Sequence, residues 1–416
     1  MLSVRHGLLL LLAVLLAGVC SQAQIDPVSR KLFQFGLNLP AEGKSPLSAY
    51  AFYYDNHPGF LRTNLTLRLA VAPVYLDSEL GIRGALGEYT DVGIGVAGGG
   101  FADSYFELRD GRFLESESFT GHAADFSLSL YHLFNPTLDG RPPESLEEVP
   151  LQALLRVSPH YSWFIRDQDT APNFAVPADL GSFSLRAGLR WGGREPLLVA
   201  DRAVELSVWY EGMFRANPEE FGFNGDRQIR DASHLVWSRA LVAYSFTNTH
   251  QTFELSVTGG AAIDADRFSA FRVGGALPLA GEFPLMVPGY YFQEFSARRF
   301  GLASGTYMIG VPPLESWSLI FTGSVARLDY LPGMEFDRHW LAGLGGGIVY
   351  RSSSGMWQFA GSYGHGFQGK RTSGRGSNAV SVLVQADMEQ TSRQLQKVWQ
   401  RVGPPTLQGL QGLFRR

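Results

Sequence analysis

The chain has 416 residues, of which 45% are hydrophobic, 13% aromatic and 18% charged, with 48 glycines and a formal net charge of −4. So small a charge, without a Lys/Arg block, leaves no basic footprint for nucleic acid. The mixture of glycine, aromatics and few charges is what a large antiparallel β protein needs, and a barrel with lipid on its outer face needs it most.

The N-terminus reads as a secretory signal. Arg5 and His6 form a short basic start, Leu8 to Leu16 is apolar, and Ser21-Gln22-Ala23 is a small-x-small cleavage site, so the expected cut follows Ala23. A lipoprotein cut before Cys20 would put Val19 where a small residue is preferred. A cut after Ala23 leaves a mature chain without cysteine, hence without disulfides. Beyond the signal no run of 18 apolar residues follows, which argues against membrane-crossing helices. Residues 24–46 read as a polar periplasmic leader.

From there the dominant pattern is alternation. Leu65, Leu67, Leu69 and Val71 oppose Thr66 and Arg68. Phe183, Leu185, Ala187, Leu189 and Trp191 oppose Ser184, Arg186 and Arg190. Val204, Leu206, Val208 and Tyr210 oppose Glu205 and Ser207, and Phe253, Leu255 and Val257 oppose Thr252, Glu254 and Ser256. A soluble sheet with one wet face gives this pattern, and so does a barrel with lipid outside and water inside. Three features favour the barrel. The patterns approach the roughly 9–11 residues that a tilted strand needs to cross a bilayer. Aromatics gather at Tyr50 to Tyr54, Tyr161 to Phe164 and Tyr290 to Phe292, as interfacial girdles would. The polar face carries Arg68, Arg186, Arg190, Glu205 and Glu254, which a packed core would resist and a wet lumen tolerates. Strands are expected near 47–54, 64–74, 78–87, 90–99, 119–134, 150–166, 181–192, 203–215, 233–247, 250–263, 267–275, 294–312, 315–329, 338–350, 356–366 and 378–387. The expected fold is therefore all-β: a transmembrane antiparallel barrel of about 16 strands over 47–387, with a periplasmic tail at 388–416.

Catalytic and metal motifs are missing from the sequence: there is no G-x-S-x-G, H-E-x-x-H, Walker loop or cysteine metal pattern. The expected cofactor and metal content is none, and the expected protein is not an enzyme. "GVAGGG" (95–100) and "GLGGGI" (343–348) read as strand glycines rather than phosphate cradles. Carboxylates at 144–150 and 217–223 read as solvated loops that could hold lipopolysaccharide counter-ions.

The segment 281–300, "GEFPLMVPGYYFQEFSARRF", breaks the rhythm. Pro284, Pro288 and Gly289 cannot sit in a central strand, and the segment is too apolar for an ordinary solvent loop. Folding back into the barrel would bury it. In this the chain resembles the bacterial surface-antigen superfamily of outer-membrane assembly factors, the BamA/TamA type. Barrels of that type have sixteen strands, and a long loop between strands eleven and twelve dips into the lumen. That loop carries Val/Leu-Arg-Gly-Phe/Tyr downstream of a Gly-Gly. Here Gly274-Gly275 match the glycines and Val287-Pro288-Gly289-Tyr290 match three of the four motif positions, with Pro288 where the family has arginine. Arg298 or Arg299 is the expected substitute for it.

The resemblance implies an outer-membrane barrel that assists insertion or translocation of partner proteins, or a plugged relative of one. Client outer-membrane or secreted proteins would be its partners, alongside outer-membrane lipid and lipopolysaccharide. It also implies a weak seam between first and last strands, here 47–54 against 378–387. The leader is too short to hold the family's periplasmic module. The alternative is a porin-like channel for small solutes, lined by Arg68, Arg186, Arg190, Glu205 and Glu254.

Overall fold

The structure is a computed structural model that describes residues 29–135, 149–193, 202–246, 249–277, 283–371 and 374–388. The expected signal peptide, the tail beyond Met388 and most of the acidic stretch at 144–150 lie outside the described residues.

Sixteen strands form one closed antiparallel barrel: β1 (Arg30–Pro40), β2 (Ser48–Pro58), β3 (Leu65–Ala72), β4 (Tyr75–Ile82), β5 (Thr90–Gly99), β6 (Thr120–Leu133), β7 (Leu151–Ile165), β8 (Leu180–Gly193), β9 (Arg202–Arg215), β10 (Ala232–Phe246), β11 (Gln251–Ile263), β12 (Phe295–Val311), β13 (Leu314–Tyr330), β14 (Trp340–Arg351), β15 (Trp357–Arg371) and β16 (Gly374–Asp387). Each pairs with its neighbours in sequence. β16 returns to β1 in a register running from Leu32 opposite Asp387 to Pro40 opposite Ala379. The walls are uneven: β12 and β13 have 17 residues each, β3 and β4 have 8 each.

The expected count of sixteen is met, but through two compensating differences. The first strand lies inside the expected leader, where Phe33, Phe35, Leu37 and Leu39 alternate with Leu32, Gln34, Gly36 and Asn38. The polar members of that second row face the lumen. Conversely, 267–275 is not a barrel strand. Within it Phe271–Val273 pairs with the foot of β12 (Phe295 to Ala297), while the preceding residues turn. The closing seam is therefore β1 against β16, not 47–54 against 378–387.

The alternation sorts residues in the reverse of a soluble protein. On β11 Leu255 and Val257 are exposed and Thr252 and Thr258 buried; on β13 Leu319, Phe321 and Val325 are exposed and Ser324 buried. An apolar outside around a polar inside is the arrangement that hydrocarbon selects, since closure pairs every backbone group and leaves no edge. One expected girdle is misplaced: Tyr290 and Tyr291 are buried inside the barrel, because they belong to the loop and not to a strand end.

Phe321→Arg tests the lipid-facing assignment. Unfolding in liposomes should show a loss of about 2–4 kcal/mol, as for a cation near the bilayer midplane. An exposed site on a soluble sheet would change by less than about 0.5 kcal/mol.

Candidate functional site

The connection from β11 to β12 turns into the lumen. Gly274 donates its N–H to the Leu285 carbonyl (3.0 Å) and accepts from the Val287 N–H (2.7 Å), while Gly275 donates to the Tyr291 carbonyl (2.6 Å). A Cβ on Gly274 would lie 2.3 Å from the Tyr291 carbonyl oxygen, and one on Gly275 would lie 2.2 Å from that of Tyr290. These glycines serve close approach of two backbones, and neither has a positive φ.

The tip, Val287-Pro288-Gly289-Tyr290, presses on the inner wall of β14 and β15. Gly289 has φ +89°, and a Cβ there would lie 2.1 Å from the Gly366 nitrogen. On the wall side a Cβ at Gly343 would meet the Pro288 carbonyl oxygen at 2.2 Å, and one at Gly364 the Gly289 nitrogen at 2.6 Å. The glycine-rich run of β14 is thus a landing surface for the loop. Val287 and Tyr290 are fully buried in one apolar cluster with Trp209, Trp237, Phe295 and Leu341. The Tyr290 hydroxyl donates towards the Ala342 carbonyl (3.3 Å) and Gln368 Oε1 (3.1 Å), and it accepts from the Gln368 N–H (3.2 Å). Burial pushes this phenol up to about 12, so it stays a donor at any physiological pH.

Pro288 offers no charge, and Arg298 does not replace the missing arginine. Its guanidinium is exposed and pairs with Asp329 at 2.9 Å. Arg299 is likewise exposed. The charged fastening instead runs from wall to loop. Arg371 of β15 binds Glu294 through two contacts of 2.9 Å, both side chains are 1% exposed, and the guanidinium lies 3.6 Å from the Tyr291 ring centroid. A bidentate, stacked arginine of this kind is specific in geometry as well as strong.

On the side of the loop towards the start of β1 and the end of β16 lies a cavity of about 630 Å³. Its roof is Phe283, Pro284, Met286 and Pro288. Arg68, Arg186, Arg190, Glu205 and Glu254 all line it, together with Arg156 and Arg239, which the sequence reading did not single out. The charges form two sets. Glu79 takes Arg156 (2.7 Å) and Arg68 (4.0 Å), and Glu205 takes Arg239 (2.6 Å) and Arg190 (3.8 Å). Arg186 stacks over Trp209 at 4.7 Å. Phe283 of the loop reaches into the second set, 4.4 Å from Arg239 and 5.4 Å from Arg190. Three of these ion pairs join adjacent strands, Arg68 lying directly opposite Glu79, while Arg156 on β7 reaches Glu79 on β4; spacing alone does not show such pairs before the strand order is known.

The long-loop end is capped. The connections after β5, β7 and β9 share a core of Tyr105, Phe119, Phe174, Phe221 and Ile229, with Phe268 against it. Beneath it Arg227, 2% exposed, pairs with Glu107 and Glu117, and Arg267 reaches the same Glu107 at 3.3 Å. Near this cap Ser162 Oγ lies 3.1 Å from His160 Nε2, a serine–histidine pair facing one way that spacing on β7 could have suggested. Asp103 takes a hydrogen bond from each, at 2.5 Å from Ser162 and 2.8 Å from His160. The serine hydroxyl here donates to the Asp103 carboxylate rather than to the imidazole. Among the described residues no group of three metal-ligating side chains converges.

No protein-family model matches the sequence, and no curated protein matches it. Among solved structures, CdiB from Acinetobacter baumannii superposes with a TM-score of 0.52 at 10% identity, over 86% of this chain and 60% of that one. BamA from Haemophilus ducreyi, lacking POTRA domains 1–3, gives 0.51 at 10% identity over 86% and 70%. A Pseudomonas aeruginosa FadL homologue gives 0.33 at 10% identity over 89% and 96%, too low to bear on the argument. The chain thus spans less than two thirds of the CdiB chain. At this identity the likeness is one of fold: a closed sixteen-stranded antiparallel barrel like those of CdiB and BamA.

Arg371→Met leaves Glu294 charged, buried and unpaired, and should destabilise the barrel by about 3–5 kcal/mol in urea titrations. Replacing both residues by methionine should recover most of that loss.

Proposed function

We propose that this protein is a bacterial outer-membrane barrel with a plugged lumen that assists insertion or translocation of partner proteins. The observation that carries the reading is the loop between strands eleven and twelve, fastened across the lumen by the Val287–Tyr290 tip and the Arg371–Glu294 pair. A solute channel has no use for a buried salt bridge and a packed aromatic cluster in its path, whereas a barrel whose lumen stays shut until a partner arrives does. The secretory signal, the apolar outer face and the likeness in fold to CdiB and BamA support the outer-membrane location. Clients would be outer-membrane or secreted chains in extended form, and the surrounding partners would be outer-membrane lipid and lipopolysaccharide.

The second reading, a porin-like channel, draws on the charged cavity lined by Arg68, Arg186, Arg190, Glu205 and Glu254. Planar-bilayer conductance separates the two. The plugged barrel should be closed most of the time, and removing 283–292 should raise its conductance; a steady open pore in the wild type would favour the channel. For the assembly role, the protein reconstituted in liposomes should speed the folding of a urea-denatured small barrel severalfold. An unchanged folding rate with a closed wild-type pore would leave a plug without an assembly role.

A further inference from the structure

The lumen loop does more than fill space: it touches both strands of the closing seam. Asn38 on β1 and Ser381 on β16 are register partners across that seam. The Asn38 side-chain amide and the Ser381 hydroxyl both donate to one acceptor, the backbone carbonyl of Ala276 in the loop, at 2.9 and 2.7 Å, and they lie 3.0 Å from each other. Both are buried, at 2% and 6% exposure. A second tie lies one turn further along the seam. The Tyr291 hydroxyl donates to the carbonyl of Glu42, just past the end of β1 (3.1 Å), and the Glu42 carboxylate accepts from Asn378 of β16 (3.2 Å). A third is the Arg371–Glu294 pair on β15. The loop leaves the wall at β11 and β12 and grips β15, β16 and β1 across the lumen.

We propose that this loop is a clasp on the seam, so that parting β1 from β16 and withdrawing the loop are one coupled transition. The reason is geometric. The Ala276 carbonyl can follow Asn38 or Ser381 if the strands separate, but not both, and a buried donor left behind loses its partner. With the loop in place the closed seam is favoured; with the seam parted the loop loses part of its seat. Coupling of this kind is reciprocal. The inference concerns the protein alone and holds whether or not it carries clients, although it would give the proposed function its gate.

The test uses nitroxide labels on F35C and V384C, register partners on the outer side of the seam, in the full mature protein in nanodiscs. Asn38→Leu with Ser381→Ala removes both donors, and Tyr291→Phe removes one hydroxyl with little risk to folding. Each should raise the population at longer distances about tenfold, the weight of one or two hydrogen bonds. Arg298→Gln, which breaks an exposed pair with Asp329, should leave the distances unchanged. In the reverse direction, a short bis-methanethiosulfonate cross-link between the same cysteines, each thiolate displacing methanesulfinate, should slow hydrogen exchange at the Val287 amide, which donates to Gly274. An unchanged seam distance in a Tyr291→Phe protein that still shows heat-modifiable migration would overturn the proposal, as would a cross-linked seam with unaltered Val287 exchange.

Discussion

A strand facing hydrocarbon cannot leave its edge unpaired, because no water is present to take up the free N–H and C=O groups. Everything else in this structure follows from meeting that constraint. β16 returns to β1, and the ring closes with an even number of strands. Closure fixes which face of each strand meets lipid. It also creates an interior that must hold whatever polar side chains the alternation sends inward, which is why Glu79 and Glu205 each sit between two arginines. A guanidinium that would be costly alone in such a place is kept by a carboxylate from another strand of the wall.

Much of this could be read from the residues, and the parts that could not share a cause. The stripes Leu65–Val71, Phe183–Trp191 and Phe253–Val257 gave strands and sidedness, because a period of two needs no knowledge of neighbours. The prolines at 284 and 288 gave a loop and the charge pattern of the polar face gave a lumen. β1 was passed over because Gln34, Gly36, Asn38 and Pro40 make Arg30–Pro40 look like a linker, although its outward row is as apolar as any. The segment 267–275 looked like a strand because Phe271 and Val273 alternate, yet only Phe271–Val273 pairs with the wall. The site's fastenings were beyond reach. Arg371 and Glu294 are 77 residues apart, and Asn38 and Ser381 are 343 apart; a sequence shows such pairs only after the strand order is known.

The loop also shows how one structural task can be met with different chemistry. Where the resemblance led one to look for an arginine at the tip, there is Pro288, and the tip is held by shape: glycines on β14 and β15 admit the backbone where any side chain would collide. The charged contact is at the base of the loop, with the carboxylate on the loop and the guanidinium on the wall. Shape complementarity sets where the tip rests, and the ion pair sets which strand it belongs to.

The uneven wall has its own outcome. At eight residues, β3 and β4 fall below the roughly 9–11 that a tilted strand uses to cross hydrocarbon, while β12 and β13 stand more than twice as long. Lipids cannot match both sides at one thickness. Acyl chains beside the low side must shorten or splay, at a modest cost per ångström of mismatch, so the molecule sits in its bilayer like a cup with a notched rim, and the softest patch of membrane around it lies two strands from the seam.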